Sequence, residues 1–102
     1  MNNAGMNNAN TTVHVVSGPL TFDSVPDIYS ASRDWFNAGT GMTIDLQQVA
    51  QADSAGLALL IEWLRWARTA GLSLTYTNIP PQMLELIRVN GLQDTLLNGA
   101  VV

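Results

Sequence analysis

With 102 residues, the chain has room for one small domain and not for two. It is 47% hydrophobic but only 12% charged, against a usual ~25%, so uncharged and apolar groups must cover much of a small domain's large surface. Eight carboxylates face four arginines (Arg33, Arg65, Arg68 and Arg88) and no lysine, for a net charge of −4. Scattered cations in an acidic chain disfavour nucleic acid and electrostatic docking to an anionic membrane. With no cysteine, disulfides and thiolate metal sites are excluded.

The segment Met1 to Thr12 is polar and asparagine-rich, without the basic and apolar regions of a secretory signal. It reads as a disordered lead-in over residues 1–11, followed by a single domain over 12–102. Thr12 to Ser17 alternates with Val13, Val15 and Val16 and predicts a strand. Gly18-Pro19 then predicts a turn, with Leu20-Thr21-Phe22 returning as a second strand. Asp23 or Ser24 is placed to cap a helix from Val25 to Asn37, which Ala38 to Gly41 ends.

Met42 to Leu46 is the next strand pattern, with Val49 packing behind the loop that follows. Asp53-Ser54-Ala55-Gly56 then opens a long apolar helix, Ala55 to Ala70, closed by Gly71 as a left-handed cap. At 100° per residue, Leu57, Leu60, Ile61, Leu64 and Ala67 fall on one face, suited to a sheet. Leu59, Trp63, Trp66 and Ala70 make a second stripe, and Glu62, Arg65 and Thr69 a wet face. Leu72 to Tyr76 predicts a strand, Gln82 to Val89 a helix after Asn78-Ile79-Pro80-Pro81, and Leu92 to Leu97 a last turn or strand. The order ββαβαβα suits an α/β domain, a small mixed β-sheet covered by three to four helices. No apolar run reaches the ~20 residues of a membrane span.

The start of the long helix draws the most chemistry. Ser54 suits an N-cap, a role Asp53 shares, because the first N–H groups of a helix have no intrahelical partner. Gly56, lacking a side chain, would let a partner's backbone approach the helix start. Trp63 and Trp66 either pack under a neighbouring helix or anchor a partner, since interfaces favour tryptophan. His14 has no second histidine or cysteine with which to hold a metal, Asp45 has no partner acid or nucleophile, and no phosphate-binding Gly-Lys loop exists. No catalytic residue, metal or cofactor is expected.

Strand, Asp53-Ser54-x-Gly56-Leu57, then an amphipathic helix resembles the signature segment of STAS domains, the sulfate-transporter and anti-sigma-antagonist family. Gly18-Pro19-Leu20-Thr21 resembles that family's first hairpin, although an acidic residue is more usual where Pro19 stands. Met42 to Leu46 is similar to its central strand, and Ile79-Pro80, Leu84, Leu86-Ile87 and Asn90-Gly91-Leu92 to its last helix and exit. Leu57-Ala58-Leu59-Leu60 looks most like the MlaB-type branch, accessory subunits of bacterial phospholipid ABC transporters.

The resemblance implies a non-enzymatic cytoplasmic subunit, peripheral to the inner membrane through the transporter's ATPase subunit and serving outer-membrane lipid asymmetry. It implies a partner contact at Ser54 and the helix start around it, Asp53, Ala55 and Gly56; the second apolar stripe extends the candidate contact to Leu59, Trp63 and Trp66, and the charge balance leaves no nucleic acid and no direct membrane insertion expected. The alternative it offers is an anti-sigma-factor antagonist, phosphorylated at Ser54 by an anti-sigma factor kinase; a ligand-sensing module is a weaker third. Homodimerisation is left open.

Overall fold

The computed structural model describes residues 11–37 and 39–97. Of the lead-in expected over residues 1–11, residues 1–10 lie outside the described residues, and Thr11 instead opens the first strand. Three strands, β1 (Thr11–Leu20), β2 (Gly41–Ala52) and β3 (Ser73–Thr77), form one sheet in the order β1-β2-β3. Both pairings are parallel, with Val13 beside Thr43 and Thr43 beside Thr75. Parallel neighbours need crossovers. Helix α1 (Val25–Ser32), extended by a 3-10 turn Arg33–Phe36, provides the first, and α2 (Ser54–Ala70) the second. Helix α3 (Pro81–Val89) and a π-helical turn, Gln93–Leu97, complete the described fold.

Among the described residues the expected hairpin at Gly18-Pro19 does not form, and both strand pairings are parallel where a mixed sheet was expected. Strand β1 continues to Leu20, with register irregularities between Val15 and Ser17 and between Gly18 and Leu20, and Pro19 has no partner in the ladder. An edge strand tolerates a proline that a central one would not. Leu20 has no exposed surface, and its burial keeps the chain on course past the proline. The reversal comes afterwards, where Val25 N–H donates to the Thr21 carbonyl at 2.9 Å and Ser24 Oγ–H to the Pro19 carbonyl at 2.7 Å. Phe22 therefore sits in a turn, not a strand. The element order is β-α-β-α-β-α.

Strand alternation sets the core. Met42, Ile44 and Leu46 of β2 are buried, as are Val16 and Leu20 of β1 and Leu74 of β3. Helix α2 meets them with Leu57, Leu60, Leu64 and Ala67, all buried. Each large aliphatic side chain so enclosed contributes roughly 1.5–3 kcal/mol. Gly71, at φ +75°, closes α2 in the left-handed region, and Leu72 N–H returns to the Ala67 carbonyl at 2.8 Å. Tyr76 pins β3 to α2 by donating its hydroxyl to the Leu60 carbonyl at 2.6 Å, and burial raises its pKa well above the ordinary phenol value.

The second stripe of α2 is covered by the chain itself. Trp63 is fully buried and donates Nε1–H to Ser32 Oγ at 2.8 Å. Its ring lies 5.5 Å from that of Trp35, which in turn stacks on His14 at 4.1 Å. Trp66, half-buried, meets Tyr29 at 4.9 Å and Phe36 edge-on at 5.4 Å, with the Arg33 guanidinium 5.9 Å from its ring. Trp63 and the 2%-exposed Leu59 are thus core residues, which corrects their expected place on a contact surface. A helix running beside α2 needs an apolar stripe to lie on, and α1 with its 3-10 extension takes it.

Candidate functional site

The strand-to-helix junction at residues 53–56 is the most differentiated place in the fold. Asp53 is the N-cap, with extended backbone at φ −132°. Its Oδ1 accepts from Ala55 N–H at 2.8 Å and Gly56 N–H at 3.4 Å, while Oδ2 accepts from Phe22 N–H at 3.0 Å. One carboxylate thus caps α2 and holds the turn after β1. The Phe22 N–H, followed by those of Ala55 and Gly56, holds the Asp53 carboxyl below its ordinary pKa. It stays ionised at neutral pH.

Because Asp53 caps the helix, Ser54 does not, although its hydroxyl suits the role equally by composition. Ser54 opens α2, is exposed, and its hydroxyl makes no hydrogen bond among the described residues. Gly56 also has a different role from the expected one. The backbone it admits is the chain's own: a Cβ there would press into the Leu20 carbonyl oxygen and stand 2.9 Å from Leu20 Cβ. Gly56 is buried and is not available to a partner. Asp53 and Ala55 are half-buried beside it.

Beside Ser54 runs an open groove of about 540 Å³ between the start of α1 and the first two turns of α2. Phe22, Val25 and Tyr29 form one wall, Ala55 and Ala58 the other, with buried Leu59 in its floor and Glu62 at its end. Phe22 is 79% exposed, the largest value among the exposed large hydrophobic residues. Phe22, Val25 and Tyr29 were missing from the sequence-based contact set. The sequence signal for them is slight, an aromatic residue between two polar ones, Thr21 and Asp23, in a segment whose pattern also suits a strand. A second depression, about 510 Å³, lies between the end of β2 and the β3–α3 loop, with amides of Gln47, Gln51, Asn78 and Gln82 in its lining.

Among the described residues no group of three or more His, Cys, Asp or Glu side chains is placed to hold a metal ion. None of their helices is long and apolar enough to cross a membrane. Three of the four arginines are engaged locally: Arg65 with Glu62 at 2.9 Å, Arg88 with Glu85, and Arg33 over Trp66. No basic patch results.

A parallel α/β domain with a capped, solvent-facing helix start and an apolar groove beside it is built for binding. The family model described as "Mlab, STAS domain" matches residues 5–98, so the chain belongs to the STAS domain family. No curated protein matches the sequence. Among solved structures, a sulfate transporter family protein from Wolinella succinogenes is similar at TM-score 0.72 and 13% identity, over 89% of this chain and 75% of that one. The SulP transporter STAS domain from Vibrio cholerae is similar at TM-score 0.67 and 13% identity, over 89% and 71%. The anti-sigma factor antagonist SpoIIAA in its unphosphorylated form follows at 0.69 and 19%, over 86% and 79%. At these identities the likenesses establish the fold.

Proposed function

We propose that this domain works without chemistry of its own, as the STAS subunit of an MlaB-type phospholipid ABC transporter that maintains outer-membrane lipid asymmetry. It docks on the transporter's ATPase subunit at the cytoplasmic side of the inner membrane, held there through that partner. The docking face is the start of α2: Ser54, Ala55 and the adjoining groove, with Asp53 holding the junction rigid and Trp66 behind it. By binding one assembly state of the ATPase better than the others, the domain shifts the population toward that state. The observation that carries this reading is the division of labour at the junction. Asp53 takes the cap, which leaves Ser54 exposed and unengaged beside the apolar groove. The family model's description and the apolar character of α2 add support.

The test is co-purification with the ATPase subunit of an MlaB-type transporter from the same organism, using wild-type chain and a Ser54→Trp variant. The expected result is capture by the wild type and loss in the variant, whose circular dichroism and melting remain those of a folded domain. Unchanged capture would put the contact elsewhere.

The exposed hydroxyl of Ser54 favours a second reading, in which the domain is an antagonist of an anti-sigma factor and Ser54 is phosphorylated. Phosphate there would add about −1.5 to −2 charges next to Asp53, partly offset by the helix N-terminus. Incubation with a candidate anti-sigma factor kinase, followed by intact-mass measurement, decides it; stoichiometric modification at Ser54 supports this reading over the first.

A further inference from the structure

The groove beside Ser54 has a shape and a charge that select its occupant. Its α2 wall follows the spacing Ala55, Ala58, Leu59, Glu62, a run of two turns or about 10 Å along the helix axis. Rows at i, i+3 and i+4 accept the ridges of another helix, and no strand edge lies in the groove to pair with an extended chain. The lining is apolar except at its margins. There Glu62 ends the groove, Asp53 sits at the head of α2, and exposed Asp23 follows Phe22. The nearby cation, Arg65, is paired with Glu62, and of the others Arg33 lies over Trp66 and Arg88 pairs with Glu85. Arg65 offsets Glu62, so the margin's negative charge rests on exposed Asp23 and ionised Asp53.

We propose that this groove receives an amphipathic, basic α-helix of the partner protein, whose apolar side chains pack on Phe22, Tyr29 and Ala58 while its Lys or Arg side chains face Asp23, Asp53 and Glu62. This rests on the reading that the start of α2 faces a partner, and it specifies that partner's contacting element. A second copy of this chain is a poor occupant, since the same carboxylates would meet across a two-fold axis. An anionic lipid meets the same repulsion. Phe22 supplies the anchor: its ring, 79% exposed, is the largest apolar surface at the groove for a helix to cover, and its backbone is fixed by the N–H bond to Asp53.

The probe is a fluorescent synthetic Leu/Lys amphipathic helix titrated into the full chain at low and high salt, with backbone amide NMR shifts recorded in parallel. A Leu/Glu helix of the same pattern is the control. The Leu/Lys helix should bind, more weakly as salt rises, and shift the amides of Phe22, Ala55 and Ala58. Phe22→Ala should weaken it about tenfold. Asp23→Asn with Glu62→Gln should weaken it a few-fold and flatten the salt dependence, whereas Asp34→Asn with Asp94→Asn, away from the groove, should leave it unchanged.

The proposal is overturned if the shifts map elsewhere, if the Leu/Glu helix binds as well, or if the distant pair costs as much as the marginal one, which would signify attraction by net charge alone. Phosphatidylglycerol vesicles shifting the same amides would overturn it in favour of a lipid. Failure here can be told from failure of the docking reading. If Ser54→Trp abolishes ATPase capture while the peptide misses the groove, only the helix proposal falls. If the peptide finds the groove while the wild-type chain captures no ATPase, the ATPase reading falls and the groove proposal stands.

Discussion

Gly56 lies against the carbonyl of Leu20, so the first turn of α2 and the end of β1 touch through a position with no room for a side chain. The obstructing atoms are backbone oxygen and Cβ, which cannot swing away as a flexible side-chain tip could. Gly56→Ala should therefore destabilise the domain despite alanine's better helix propensity, which returns about 1 kcal/mol. Overpacking of this kind costs typically 1–3 kcal/mol. A lowered denaturant midpoint at unchanged slope is the expected result. A midpoint equal to or above wild type would mean that β1 and α2 separate without cost.

The same junction gives a pH dependence. Asp53 has a folded-state pKa below its unfolded value, held there first by the Phe22 N–H and then by those of Ala55 and Gly56. Its contribution is therefore complete above the unfolded carboxylate pKa and is lost as pH falls through the folded one. Asp53→Ala should be less stable than wild type at pH 7, with the gap closing in strong acid as the wild-type carboxylate is protonated. Asp53→Asn keeps an acceptor without the charge and should lie between them. Urea denaturation as a function of pH checks this; a gap that stays constant into acid would remove the ionised carboxylate from the account.

Ser32 and Trp63 form the one described polar contact buried deep in the helical layer. Removing the hydroxyl leaves the indole N–H without a partner, so Ser32→Ala should cost about 1–3 kcal/mol. Trp63→Phe removes the donor and leaves a void. The pair should be non-additive, Ser32→Ala costing less in the Trp63→Phe background than in wild type, because the unsatisfied donor is then gone. Additive losses in a double-mutant cycle would show that the hydrogen bond contributes little. Trp63→Ala, at about 3–5 kcal/mol, acts on the fold and not on a partner surface.

These contacts mark how far the sequence can be read. Helix α2, its Gly71 stop, β3 and α3 were legible because apolar period and turn residues agree there; β2 was legible over Met42–Leu46 only, since the expected loop with Val49 behind it is instead strand to Ala52, paired with the end of β1. The α/β class was legible from the alternation of those patterns. Gly18-Pro19 misled because local turn chemistry is strong, while the burial of Leu20 under α2 that overrides it is a long-range fact. Trp63 and Trp66 were ambiguous for the same reason: a helix wheel shows two apolar stripes but not which neighbour lies on the second. At the junction, Asp53 and Ser54 are both good caps by composition. Only the position of the Phe22 N–H, 31 residues earlier, lets Asp53 serve two elements at once and leaves Ser54 free.

Ala58 offers the cleanest test of the docking face. It is exposed in the second turn of α2 and lines the groove, and no backbone constraint attaches to it. Ala58→Arg keeps a good helix former, so stability should stay within about 0.5 kcal/mol of wild type. It fills the groove with a long side chain and adds a positive charge where the margin is negative. Capture of the ATPase subunit should fall below detection. Thr69→Arg carries the same charge three turns further along α2, away from the groove, and should capture normally. Equal losses in both would point to a general effect of charge on the complex, and equal retention would mean that the first turns of α2 are not the face the partner covers.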